Sequence, residues 1–146
     1  ERQRRFGSVR MSAFEWPVRV YWEDTDAGGV VYHARYLHFL ERARTEWLRS
    51  CGYEQGHMSA AIDLVFAVRS MNLEFIKPAK LDDLLTVRIT LSECRRVRFT
   101  VQHQLLRDDT VLLTGQAEIA CLAASTFKPN AIPEPLLGLI QQGVHA

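Results

Sequence analysis

The stretch Trp22-Glu23-Asp24-Thr25-Asp26-Ala27-Gly28-Gly29-Val30-Val31-Tyr32-His33 gathers carboxylates and an imidazole around a glycine pair. Directly after it the apolar spacing becomes helical. A carboxylate on a glycine-containing loop ahead of a helix lies near unpaired backbone N–H groups and the positive end of the helix dipole. Such donors polarise a carbonyl and stabilise the oxyanion that forms on attack. The carboxylate can attack directly or deprotonate a water. Asp24 and Asp26 are the aspartates that this loop carries. On residue types alone, a capping or turn carboxylate is the simpler reading of Asp26, and Asp24 reads as a loop residue. The i, i+2 pair Asp24/Asp26 has no further ligand cluster, so no metal is expected there. His38 follows His33 by five residues rather than four, so the two do not share a helical face as a zinc-binding pair would. His103 alternates with polar neighbours and reads as a satisfied core or interface histidine, whereas His57 and His145 have no partner pattern.

These residues need elements to hold them. Residues 17–22 alternate, with Val18, Val20 and Trp22 on one side, which predicts a short strand opened by Pro17. Residues 34–51 predict a helix whose stripe is Tyr36, Leu37, Leu40, Ala43, Trp47, Leu48 and Cys51. Arg35, Arg42, Arg44, Glu46 and Arg49 fall mostly off that stripe. Gly52 suits the position after the helix, and Arg49 suits its negative end. A short helix or loop follows over 53–61. The period then becomes two. Residues 63–76, 87–91, 97–105 and 117–123 read as strands, with a break at 77–83 and a hairpin turn at Arg107-Asp108-Asp109-Thr110. Residues 134–142 predict a short terminal helix. The order is one strand, one long helix and four strands with short connections. It predicts an α+β fold, a curved antiparallel sheet of about five strands wrapped around one long helix.

With 146 residues, 47% hydrophobic and 24% charged, the chain is too apolar to be disordered. Residues 1–13 read as a flexible N-terminal segment and 14–146 as a single domain, with residues 1–10 an extension ahead of Met11. The first ten residues hold four Arg and one Glu, so the remainder is net acidic. That argues against a nucleic-acid-binding face. Cys51, Cys94 and Cys121 are far apart and form no CxxC pair, which fits a reducing compartment. No apolar run approaches the roughly 20 residues of a membrane span, and no signal peptide is evident. The expected location is cytoplasmic.

The run from Asp24 to Tyr36 carries a resemblance. So do Leu40-Glu41-Arg42-Ala43-Arg44-Thr45-Glu46 and Pro78-Ala79-Lys80-Leu81-Asp82-Asp83. Together they resemble the hotdog-fold acyl-CoA thioesterases of the 4-hydroxybenzoyl-CoA thioesterase family, in its Tol-Pal-associated bacterial subgroup. The resemblance extends from about Trp16 to Cys121. It implies that Asp26 is the catalytic nucleophile or general base. It also implies that the backbone N–H of His33 donates to the oxyanion and that its imidazole contributes to activity. The subgroup usually carries Tyr where this chain has Trp22. An indole N–H replaces a phenol there, so altered rate or acyl preference is expected. Arg95 and Arg96 are candidates for the CoA phosphates, against the alternative of a strand edge kept soluble by charge.

The resemblance further implies an acyl pocket drawn from residues 58–73 and a site shared across a subunit boundary. A homotetramer is expected, with a homodimer as fallback. The substrate is an acyl-CoA, with acyl carrier protein as the alternative donor; no cofactor or metal is implied. A dehydratase on the same fold would carry other motifs. The competing function is a catalytically impaired or non-enzymatic acyl-binding scaffold of the Tol-Pal and lipid-synthesis machinery.

Overall fold

Alternating burial builds the sheet. In the computed structural model, which describes residues 13–145, five strands form: β1 (Phe14–Arg19), β2 (Leu64–Phe75), β3 (Leu84–Cys94), β4 (Arg98–Arg107) and β5 (Thr110–Ala123). Their order is β1-β3-β4-β5-β2, and every neighbouring pair is antiparallel. The buried row Val87, Ile89, Phe99, Val101, Leu105, Leu113, Ala117 and Ile119 forms one face. Register shifts at Val68/Ser70, Leu91/Glu93 and Leu105/Leu106 mark bulges, which bend strands and increase their twist.

The long helix α1 (Arg35–Ser50) packs its stripe into that face. Tyr36, Leu40, Ala43, Trp47 and Leu48 are buried as expected. Two details differ. Phe39 is fully buried whereas Leu37 is exposed, and Arg44, expected off the stripe, is inside it. Cys51 caps the helix and Gly52 takes φ +92°, the left-handed turn that favours glycine. A shorter helix, α2 (Gln55–Ile62), leads into β2, and α3 (Leu136–Val144) seals the β3 side with Leu136 and Ile140.

The first strand lies three residues earlier than expected. Val18 and Val20 are buried, but the alternation stops there. Trp22 begins a 3-10 turn over Trp22–Asp24 and is 79% exposed, so it does not share the inner face with the valines. The expected flexible segment 1–13 falls, apart from residue 13, outside the described residues. Among the described residues no helix is long and apolar enough to cross a membrane.

Gly115 sits where α1 approaches the sheet most closely. A Cβ there would lie 2.7 Å from Leu73 Cδ2 and 3.5 Å from Leu40 Cδ1. The absent side chain lets the helix and the edge strand close over β5.

Candidate active site

The loop between β1 and α1 is built around two aspartates with different jobs. Asp24 is 4% exposed and organises the loop. Its Oδ2 accepts the Tyr21 N–H at 2.8 Å, and its Oδ1 accepts Arg35 Nε–H at 3.0 Å. Arg35 also donates to Glu23 at 2.8 Å. The pair ties the 3-10 turn to the first residue of the helix. Asp24 is thus more than the loop residue its sequence position suggested.

Asp26 is exposed. Its Oδ1 accepts the Gly28 N–H at 2.8 Å, a local turn that fixes the carboxylate. The Asp26 N–H donates to Val30 O at 2.9 Å, and Gly29 turns the chain back with φ +80°. His33 follows the return strand and is also exposed; its ring lies 4.4 Å from that of Tyr32.

The helix that follows starts uncapped. Ala34 occupies the N-cap position with no side-chain hydrogen bond, and no acidic residue lies in the first turn. Ala is a poor N-cap residue because it leaves the first amides without an acceptor. Among the described residues the N–H groups of His33 and Ala34 have no hydrogen-bond partner. Donors and dipole are therefore available at the end of the loop that carries the Asp26 carboxylate. This arrangement can hold a carbonyl oxygen and stabilise negative charge on it.

The segment 77–83, expected only as a break, clamps this loop. Ala79 is fully buried. Its carbonyl accepts the Val31 N–H at 2.8 Å and its N–H donates to Tyr36 Oη at 3.1 Å. Asp82 and Asp83 bond back to Val20, and Asp83 receives the Lys80 N–H and Arg107. The sequence signal was the Pro78–Asp83 run itself, which resembled the family without a stated role.

With that geometry described, similarity to known proteins can be placed on it. The sequence pattern of the thioesterase-like superfamily matches residues 20–140. The chain belongs to the thioesterase-like superfamily. It is 44% identical over 123 residues to the acyl-CoA thioesterase YbgC of Haemophilus influenzae, covering 84% of this chain and 90% of that protein. It is 39% identical over 135 residues to the acyl-CoA thioester hydrolase YbgC of Escherichia coli O6:H1, covering 92% and 100%. Among solved structures, a probable thioesterase from Bartonella henselae superposes with a TM-score of 0.79 at 38% identity, covering 83% and 99%. A 1,4-dihydroxy-2-naphthoyl-CoA thioesterase from Synechocystis superposes with a TM-score of 0.81 at 25% identity, covering 88% and 96%. The expected hotdog fold and the expected enzyme class, thioester hydrolase, both stand.

In this thioesterase the structure brings Asp26, His33 and the start of α1 into one loop–helix unit. Trp22 is nearby in sequence and exposed. Arg95 and Arg96 are not brought there. They lie in the hairpin joining β3 to β4, which is the far end of β3 from the Lys80–Asp83 clamp. Eleven residues of strand separate the two ends, roughly 30 Å. Both arginines are exposed, and Arg95 pairs with Glu93 at 2.9 Å.

Deeper in, Arg44 and His103 meet under α1. His103 is 1% exposed and Arg44 9%. Arg44 Nη1 lies 3.1 Å from His103 Nε2, and His103 Nδ1 lies 3.2 Å from Gly115 O. Arginine has only donors, so Nε2 must accept and Nδ1 must carry the proton that the Gly115 carbonyl receives. Burial, reinforced by the Arg44 charge, pushes the His103 pKa down to about 4, so the ring stays neutral. Burial also lowers the Arg44 pKa, with Glu41 opposing. The reading of His103 as a satisfied core residue holds. Arg44 as its partner was missed because a charged residue type reads as surface.

Proposed function

We propose that this protein hydrolyses an acyl-CoA thioester to the free acid and CoA. The carrying observation is the exposed, turn-fixed Asp26 carboxylate on the loop that leads into an uncapped helix start, where two amides have no partner among the described residues. The thioester carbonyl lies at the helix start, its oxygen facing the His33 N–H. Asp26 attacks the carbonyl carbon or takes a proton from the attacking water. Charge passes to the oxyanion, the C=O re-forms and the C–S bond breaks to release the CoA thiolate, which takes up a proton; on the direct-attack route water then hydrolyses the acyl–Asp26 anhydride, which gives the free acid and restores the carboxylate. One oxyanion donor contributes about 3 kcal/mol of transition-state stabilisation. The His33 imidazole orients water or protonates the departing sulfur. Trp22 presents an aromatic face without a phenolic proton and modulates rate or acyl preference. The acyl group extends along the groove between α1 and β2, where Phe66, Ala67, Val68 and Met71 fall within the expected 58–73.

The placement of Arg95 and Arg96 supports a shared site. The edge of β2 is free in the sheet order. A second copy pairing antiparallel along that edge reverses direction. It carries its own β3–β4 hairpin to the end where this chain holds Asp26. Its Arg95 and Arg96 then approach the CoA phosphates. The functional unit is at least a homodimer, and a homotetramer is its assembled form. An acyl carrier protein presents the same thioester, and the cytoplasm supplies either donor.

The deciding experiment follows free thiol release from a panel of acyl-CoAs by wild type and Asp26→Asn. Turnover by wild type and a loss of about 100-fold or more in the variant is expected. Unchanged turnover in Asp26→Asn would falsify the assignment. Folded, assembled protein without turnover on any acyl-CoA or acyl carrier substrate would favour the scaffold reading. In a single turnover in isotopically labelled water, label appearing in the Asp26 carboxylate identifies direct attack.

A further inference from the structure

The groove between α1 and β2 changes character along its length. From Ala34 at the helix start it runs past the apolar Leu37, Val68 and Met71, with the exposed His38 and Glu41 along its outer side. It then reaches Arg44, and beyond lies a space of about 330 Å³ that includes Thr45 and Gln55 among aromatic walls. Gln55 Nε2 donates to Thr45 Oγ1 at 3.3 Å. This end of the groove is therefore distant from the helix start, with Leu37, Val68 and Met71 on the walls between.

Arg44 lines both parts of the groove and is 9% exposed. Its Nη1 donates to His103, a neutral acceptor. Among the described residues it joins no ion pair. Among the described residues Glu41 is the carboxylate that acts on it; Glu41 lines both parts of the groove, is exposed and makes no ion pair with Arg44. A buried cation without an anion in contact is costly. The fold nonetheless keeps this one, on the wall of the groove. A guanidinium fork matches a carboxylate in geometry as well as charge.

We propose that Arg44 determines acyl specificity, and that the preferred acyl chain ends in a carboxylate which pairs with its guanidinium. This rests on the thioester hydrolase reading. The ten residues from Ala34 to Arg44 rise about 15 Å along the axis. Helical side chains lean back toward the N-terminus, which shortens the span. The chain is therefore of medium length, apolar in its middle and anionic at its end.

Suberoyl-CoA and octanoyl-CoA carry acyl chains of equal length and differ in the terminal carboxylate. Their kcat/KM ratio is measured for wild type, Arg44→Met and Arg44→Lys. Wild type favours suberoyl-CoA by on the order of 10-fold, the scale of one hydrogen bond to a charged group. Arg44→Met lowers that ratio by a similar factor, mainly through KM, and Arg44→Lys recovers part of it. A wild type that cleaves both equally, or prefers octanoyl-CoA, overturns the proposal, and this arm needs no variant to fold. If neither is cleaved, the hydrolase reading is judged separately on the full acyl-CoA panel. The proposal is then decided by calorimetry with the two non-hydrolysable thioether analogues: a tighter Kd for the carboxylated one supports it, and equal Kd values overturn it.

Discussion

Replacing His103 by Gln should remove a defined part of the protein's pH-dependent stability. Gln keeps both contacts, since its carbonyl accepts from Arg44 and its amide donates to Gly115 O, but it cannot titrate. In the folded protein the His103 pKa falls from an ordinary value of 6.5 to about 4. Burial is the larger cause and the Arg44 charge the smaller. Between those values the unfolded chain binds a proton that the folded chain refuses. Stability therefore rises with pH across that window. The contribution is fully present above about pH 6.5 and is lost as pH falls to about 4. At roughly 1.4 kcal/mol per pH unit it amounts to about 3 kcal/mol. Urea unfolding of both proteins at intervals from pH 7 to 4 measures it, because carboxylates common to the two cancel in the difference. At pH 7 the variant should cost about 1 kcal/mol for its imperfect hydrogen bonds. By pH 4 that deficit should have reversed. A difference curve that stays flat across the window would refute the buried, neutral imidazole and its Arg44 contact.

Other substitutions probe the loop and the close approach of the helix. Asp24→Ala strands the Tyr21 N–H and leaves Arg35 with Glu23 alone, so it should lower stability by about 2 kcal/mol, read from the urea midpoint. Tyr36→Phe removes the acceptor of the buried Ala79 N–H; a cost of about 1–3 kcal/mol and faster amide exchange at Ala79 are expected. Gly115→Ala places a methyl against Leu73 and should cost about 1–2 kcal/mol in thermal unfolding, with Leu73→Ala partly rescuing it.

Where burial follows a simple period, the sequence disclosed the fold. The strand that includes Phe99, Val101 and Leu105 and the helix stripe through Tyr36, Leu40 and Trp47 are examples. It failed where a polar group decides the local geometry. Val18 and Val20 predicted that Trp22 would continue inward. The Asp24 carboxylate instead captures the Tyr21 amide and winds a 3-10 turn, and no period in the sequence marks that bond. Arg44 fails for the opposite reason, since its residue type argued for solvent and set it off the stripe, whereas its place one turn from Leu40, Trp47 and Leu48 buries it. Asp26, His33 and the helix start were legible because they are contiguous. The far placement of Arg95 and Arg96 was not, because it depends on strand register and on which edge of the sheet is left open.

That open edge reaches beyond the site. β2 runs twelve residues at the end of the sheet, with no strand among the described residues on its outer side. Any chain that pairs there binds the folded protein and not the unfolded one, so mass action adds to stability as concentration rises. Melting temperature then becomes a property of the solution as well as of the sequence. A dilution series would separate what one chain contributes to its own fold from what a neighbour lends it.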